Sequence, residues 1–158
     1  MSVTLAIIPE AAKAEVRALL DRYLSELSAF GEVNPSYPYF EAYWREPGLR
    51  WPYFLLCDDA VIGFALVRRL SETGVSMAEF YIAPSARGRG HSVAAAVRVF
   101  SAHPGRWQLT VFERNTPARR FWPKAIAAAG AHVVSRTEAH GETVFHFNVP
   151  AGLRADDL

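Results

Sequence analysis

The chain has 158 residues, 51% hydrophobic and 21% charged, with a formal net charge of +1. That length suits one domain with its own core, since such a chain buries roughly two-thirds of its unfolded surface. A single cysteine, Cys57, excludes an internal disulfide and a multi-cysteine zinc site, and no stretch approaches the roughly 18 apolar residues of a membrane span.

In chain order, the opening MSVTLAIIPE has no basic residue before its short apolar run and is not expected to be a signal peptide. Val3–Ile8 within it is β-favouring and stopped by Pro9, which predicts an edge strand. From Glu10 to Phe30, Ala14, Leu19, Leu20, Leu24 and Leu27 recur at three- and four-residue spacing, the pattern of an amphipathic helix closed by Gly31. Gly31, Pro35, Pro38, Pro47 and Gly48 then break up a segment with room only for a short helix around Phe40–Arg45. Two apolar runs, Tyr53–Cys57 and Val61–Leu70, flank the turn-forming pair Asp58-Asp59 and predict a hairpin. A third, Val75–Ala83, ends at Pro84.

The second half changes rhythm. Arg87–Gly90 is a glycine-containing loop opening directly into a helix over Ser92–His103, which Pro104-Gly105 ends. A strand over Trp107–Phe112 and a helix over Asn115–Ala129, closed by Gly130, come next. Two last strands, His132–Glu138 and Thr143–Val149, turn on Gly141. Antiparallel hairpins followed by strand, helix, strand and helix describe a mixed α/β domain over residues 1–150, with a tail over 151–158. Val75–Ala83 and Trp107–Phe112, joined by a crossover helix, are expected to be parallel neighbours.

The near-neutral total hides an asymmetry. Residues 1–80 carry a net −4 and residues 81–158 a net +5, and 87–124 hold eight basic residues against one acid, Glu113. Such a block draws anions by its field. Its sharpest part, Ile82–Ser92, runs strand, tight loop, helix start. Glycines let the backbone approach a ligand closely, and the first N–H groups of a helix lack internal acceptors at the positive end of its dipole. Arg87 and Arg89 add full charges, so a phosphate or pyrophosphate is the expected ligand. A Walker loop is excluded because Gly-Lys-Ser/Thr is absent, and a dinucleotide fingerprint because Val93 stands where a third glycine is needed. An ordinary basic turn is the competing reading of the same residues.

In its setting the loop resembles the phosphate motif of the GNAT superfamily of acyl-CoA-dependent N-acyltransferases, Arg/Gln-x-x-Gly-x-Gly/Ala, here Arg87-x-x-Gly90-x-Ser92. The apolar strand before it (Phe80, Ile82) and the proline three residues ahead of the arginine (Pro84) match as well. A second family motif, Asn-x-x-Ala-x-x-x-Tyr, matches at Asn115 and Ala118, with Trp122 in the tyrosine position. The resemblance implies a splayed mixed sheet of about six or seven strands flanked by helices on both faces. It implies acetyl-CoA as donor, with CoA as product. The backbone of Arg89, Gly90, His91 and Ser92 would hold the pyrophosphate, Arg87 and Gly88 would flank it, and the pantetheine arm would run along Tyr81–Ile82. Phe80, Asn115 and Trp122 complete the implied cofactor set. Ser92 is small enough to stand for the usual glycine or alanine. Trp122 is a greater departure, since an indole N–H donates a hydrogen bond but is no practical acid.

Amine acetylation needs a deprotonated amine, a polarised thioester and a stabilised thiolate. A base works best with a pKa near the operating pH, which a carboxylate reaches by desolvation or crowding. Strand alternation puts Glu79 and Tyr81 on one face and Phe80 and Ile82 on the other. An acid at the position of Glu79 in GNAT relatives faces the acceptor, so Glu79 is the candidate base, and Tyr81 the candidate acid in place of the missing tyrosine. A surface ion pair and core packing are their ordinary alternatives. Eight of the chain's 20 aromatic residues lie within 37–54. Of these Tyr37, Tyr39, Tyr43 and Trp44 are candidates for an acceptor wall, with Glu32, Asn34 and Glu41 near enough in sequence to orient a cationic amine. His132, His140 and His146 lack ligand spacing, and no metal is expected.

The leading expectation is therefore an N-acetyltransferase acting on a primary amine of a small molecule, amino acid or peptide in a ternary complex. A catalytically silent acyl-CoA-binding module and a nucleic-acid-binding domain built on 87–124 are the alternatives. Against the last, the aromatics cluster in the acidic half rather than among the arginines, where they would stack bases. No nucleic-acid or membrane partner is expected, the location expected is cytoplasmic, and a homodimer is compatible with the sequence.

Overall fold

The computed structural model describes residues 2–71 and 74–152; of the tail expected over 151–158, residues 153–158 lie outside the described set. Strands β1 (Val3–Ile7), β2 (Arg50–Cys57), β3 (Ala60–Ser71) and β4 (Gly74–Ile82) run antiparallel in sequence order. Asp58 and Asp59 turn β2 into β3 with φ of 50° and 69°, the left-handed pair whose twist matches that of the strands it joins. The chain then crosses one face as α3 (His91–Ala102) and returns as β5 (Gly105–Phe112), parallel to β4. After α4 (Thr116–Ala128), the hairpin β6 (His132–Ala139) and β7 (Glu142–Val149) turns at His140 and Gly141. The seven strands lie in the order β1-β2-β3-β4-β5-β7-β6, so β1 is an edge strand as expected.

Alternation along the strands gives the sheet two apolar faces. One carries Leu55, Val67, Met77, Leu109 and Phe147 and packs on α3 and α4 through Val99, Phe100 and Ile126. The other carries Phe54, Phe64 and Leu66 and packs on α1 (Lys13–Leu27), whose Val16, Leu20 and Leu24 recur every four residues and are buried. The short α2 (Ala42–Arg45) adds Tyr43 to this second core. No described helix is long and apolar enough to cross a membrane.

Two irregularities of β4 position the site. Its parallel pairing with β5 covers only Gly74–Ser76 against Arg106–Gln108, after which the strands diverge and β4 has no neighbour on that side. Against β3, Leu66 lies opposite Glu79 and Val67 opposite Met77, so Ala78 is an extra residue, a bulge. The bulge reverses the alternation. Val75 and Met77 belong to the core under α3 and α4, but beyond Ala78 that side is taken by Phe80 and Ile82. Tyr81 and its neighbour-but-one Glu79 turn towards α1 instead.

Two expectations for the first helix are revised, and that for the last helix holds. The first helix does not run from Glu10 to Phe30: a 3-10 turn at Glu10–Ala12 leads into α1, which ends at Leu27. Gly31 does not close it as a left-handed cap. A Cβ there would lie 2.6 Å from the Phe112 ring, so the glycine makes room for a contact between the exit of α1 and the end of β5. α4 continues through Pro123 to Ala128, and Gly130, with φ of 71°, follows it.

Candidate active site

The loop after β4 begins with a 3-10 turn, Pro84–Ala86. Gly88 and Gly90 then take φ of 80° and 79°, a region that penalises a side chain, and Gly90 is the N-cap of α3. Among the described residues, the backbone N–H groups from Gly88 to Val93 find no backbone acceptor. They are open donors at a helix N-terminus, which suits an anion. Arg87 does not stand free beside them. Its Nε donates to the Ile82 carbonyl at 2.8 Å, its Nη2 donates to Glu26 Oε1 at 2.9 Å, and its guanidinium lies 5.6 Å from the Tyr81 ring centre. It braces the loop against α1, while Arg89 is exposed. The imidazole of His91 is buried, with Nε2 3.9 Å from Cys57 Sγ, so His91 offers the loop only its backbone.

Below the loop lies a groove of about 340 Å³ whose walls include Tyr81, Ile82, Arg87, Ser92, Asn115 and Trp122. Asn115 caps α4, its Oδ1 accepting the Ala118 N–H at 3.2 Å, which leaves its amide N–H₂ as donors. Trp122 is buried with its ring 5.1 Å from Phe80 and 4.8 Å from Phe121. Tyr81 lines the same groove from the α1 side, edge-on to Tyr23. Burial, then the charge of Glu26, push its phenol above the usual range.

The groove shares the walls Tyr23, Phe80 and Trp122 with a gap of about 280 Å³ where β4 and β5 have parted. Glu79 lines this gap and also a further cavity of about 400 Å³ walled by Tyr37, Tyr39 and Tyr43. Its carboxylate accepts two phenol hydrogen bonds, from Tyr23 at 2.9 Å and Tyr37 at 2.7 Å. The residue as a whole keeps partial exposure, yet the carboxyl group itself is withdrawn from water behind those phenols. That desolvation pushes its pKa up, while the two phenols and Arg68 pull it part of the way back. Tyr23 and Tyr37 are held well above the usual phenol range by burial and by the carboxylate, so both stay protonated donors. An ionised carboxylate has about four acceptor positions, and two remain for a ligand.

Of the four aromatics expected at an acceptor wall, Tyr37, Tyr39 and Tyr43 meet around this cavity. Trp44 does not. Its indole N–H donates to the Ile8 carbonyl at 2.9 Å and its ring packs on Phe40, on the far side of α2. Glu41 is likewise engaged by Lys13. Tyr37 has a positive φ of 44°, an uncommon state for a non-glycine residue. It is held there by its backbone N–H on the Asn34 carbonyl and by its phenol on Glu79. Sequence reasoning missed Tyr23, although it lies three residues beyond Leu20 on the apolar face of α1, and missed Arg50 and Arg68, which also line the cavity.

Comparison with known proteins agrees with this geometry. The sequence model of the acetyltransferase (GNAT) family matches residues 16–126. The fold is similar to that of PaiA N-acetyltransferase from Thermoplasma acidophilum in complex with coenzyme A, with TM-score 0.65 and 11% identity over 92% of this chain and 98% of that one. It is similar to AAC(6')-Ib in complex with paromomycin and acetyl-CoA, with TM-score 0.67 and 16% identity over 94% of each chain. It is also similar to an acetyltransferase from Thermus thermophilus, with TM-score 0.62 and 18% identity over 93% of this chain and 96% of that one. No curated protein sequence matches the chain. Since the matched segment runs from α1 through the bulged strand and the glycine loop to the end of α4, the chain belongs to the acetyltransferase (GNAT) family.

Proposed function

We propose that the protein transfers an acetyl group from acetyl-CoA to a primary amine of a small molecule, amino acid or peptide, by direct attack in a ternary complex. The observation that carries this reading is the series of adjoining cavities, each sharing wall residues with the next, from the anion-ready loop to the tyrosine-walled cavity, with Glu79 lining the last two. The open N–H groups of Gly88–Val93 suit the pyrophosphate of CoA, and the unpaired side of β4 at Phe80–Ile82 suits the amide-bearing pantetheine arm. Asn115 offers a further donor along that arm.

In this mechanism the amine nitrogen attacks the thioester carbonyl, its surplus proton passes to Glu79, and the C–S bond breaks with its electron pair going to sulfur. Tyr23 and Tyr37 are positioning residues that aim the carboxylate. Tyr81, rather than Trp122, is the group in the groove able to give a proton to the departing thiolate. A base of raised proton affinity contributes roughly 10²–10⁴ in rate. The reading of a silent acyl-CoA-binding module draws its support from Trp122, which removes the acid from its usual place. Measuring CoA binding together with thiol release against a panel of amines separates the two. Amine-dependent release supports transfer, and CoA binding without release from any amine would leave only the binding module.

A further inference from the structure

On the α1 face of the sheet, one level is polar across four strands. Arg50 on β2 lies directly opposite Arg68 on β3, Arg68 opposite Ser76 on β4, and Ser76 opposite Gln108 on β5. Farther along β2 and β3 the same face turns apolar, with Pro52 opposite Leu66 and Phe54 opposite Phe64. All four residues of the polar row line the cavity of about 400 Å³ that Glu79 also lines. Two cations facing each other across strands destabilise a sheet. Arg50 is compensated, with Nε 3.3 Å from Glu46 Oε2 and its guanidinium 5.4 Å and 5.3 Å from the Tyr39 and Tyr43 rings. Arg68 makes no ion pair among the described residues. The Tyr43 side chain, 3% exposed, ends at the same cavity in a hydroxyl that lies near the Arg50 guanidinium and the Tyr37 phenol without a well-formed hydrogen bond to either.

Arg68 feels the Glu79 carboxylate only through its field, without a contact ion pair, and it is opposed to a second guanidinium beside the Tyr43 phenol, so its N–H donors remain open to an anion. The carboxylate of Glu79 in the same cavity asks for a cation. We propose that the acceptor is an amine carrying its own carboxylate, an α-amino acid in the simplest case, with Arg68, backed by Arg50, holding the carboxylate and Glu79 the amine. A guanidinium pairs with a carboxylate through two parallel hydrogen bonds, which fixes orientation as well as charge. An amine without the anion brings a positive charge towards two arginines and offers nothing in return, so the row also excludes simple alkylamines. The role given to the amine rests on the acetyl transfer proposed above; the carboxylate subsite does not.

The test reads binding first. The common α-amino acids, each beside its carboxamide, are titrated calorimetrically into the protein in the presence of CoA, at a pH low enough to keep both amines protonated, so that the anionic charge is what differs within a pair. At least one acid is expected to bind about tenfold or more tightly than its amide. In Arg68→Gln that ratio falls to about twofold or less, in Arg68→Lys part of it remains, and CoA affinity is unaltered in both. Arg68→Gln is also expected to melt close to the parent, because the like-charge opposition it removes offsets the attraction to Glu79 that it gives up, whereas a purely structural arginine would lower the melting point. The proposal is overturned if no acid is preferred over its amide, or if the preference survives Arg68→Gln. A preference in binding with no thiol release would overturn acetyl transfer and leave the carboxylate subsite standing.

Discussion

Replacing Glu79 by glutamine separates chemistry from folding. The substitution keeps the shape and removes the charge. Of the two phenol hydrogen bonds, at 2.9 Å and 2.7 Å, the amide oxygen keeps one, and the amide N–H₂ must meet the other phenol as a donor. Exchanging hydrogen bonds to a charge, about 1.5–3 kcal/mol each, for neutral ones near 1 kcal/mol forfeits roughly 1–4 kcal/mol. Against that stands the cost of burying a carboxylate, the cause that dominates its raised pKa. That raised folded-state pKa also means protonated Glu79 favours the fold at low pH, a contribution lost as pH rises through the folded value. Glutamine never pays it. The two effects oppose each other, and Glu79→Gln should remain folded with a stability within about 2 kcal/mol of the parent. Turnover should fall by roughly 10²–10⁴, about 3–5 kcal/mol of activation free energy. The assay is steady-state thiol release across pH, with CoA affinity measured alongside. In the parent, kcat/KM should rise with pH as Glu79 ionises, at a pH above the ordinary carboxylate range, and this acidic limb should vanish in Glu79→Gln. Tyr37→Phe, which removes a donor to the ionised form, should move the limb to higher pH. A folded Glu79→Gln enzyme with full activity and an unchanged pH profile would refute the role.

Gly90→Val forces a β-branched side chain into a φ of 79° with nothing within 4 Å to clash with; the strain, about 1–2 kcal/mol, should spare the fold while calorimetry shows CoA binding abolished. Gly63→Ala places a Cβ 1.9 Å from the Tyr81 carbonyl oxygen, so β3 must move off β4. A loss of about 3 kcal/mol is expected, a melting point lower by roughly 6–12 °C, together with weaker CoA binding; an unshifted melting point would contradict it. Trp122→Ala removes a buried indole from between Phe80, Phe100 and Phe121 and should cost about 3–5 kcal/mol by denaturant unfolding. Burial, then the Arg69 charge, push the His103 imidazole down to about 4 from an ordinary 6.5. The folded state therefore resists a proton that the unfolded chain accepts, and stability present above pH 6.5 is lost as pH falls towards 4. A melting-point profile that keeps the same slope over that window in His103→Gln would dismiss this assignment.

The elements and their order were legible because each is written locally. Pro9, Gly130, the pair Asp58-Asp59 and Gly141 mark ends and turns, and apolar spacing marks α1, α3 and the strands. The loop was legible for the same reason, since the two left-handed glycines are adjacent to the helix they open. The assignment of Glu79 and Tyr81 to one face held because both lie beyond the bulge. The bulge itself left no local mark, as Ala78 is an ordinary strand residue and only the register against Leu66 and Val67 reveals it. Partners distant in sequence were equally hidden. The Tyr23 and Tyr37 hydrogen bonds to Glu79 span 56 and 42 residues, and Arg87 reaches Glu26 across 61. Trp44 misled because α2 is a single turn, in which neighbouring aromatics point to different sides, so that Tyr43 faces the cavity while Trp44 faces Ile8.

The brief pairing of β4 with β5 makes a seam. Three register positions join a four-strand meander to a three-strand C-terminal unit, and beyond Ser76 the two are held together through α3, α4 and the contact of Gly31 with Phe112. Within each unit the ladders run along most of their length. Cooperative opening follows such divisions, so amide hydrogens of β5 next to the seam should exchange with those of β7 rather than with those of β4. A molecule lying in the gap would touch both units at once and couple their opening. Occupancy would then protect backbone amides on strands it never contacts, and slow hydrogen exchange across the whole sheet would report a filled cleft.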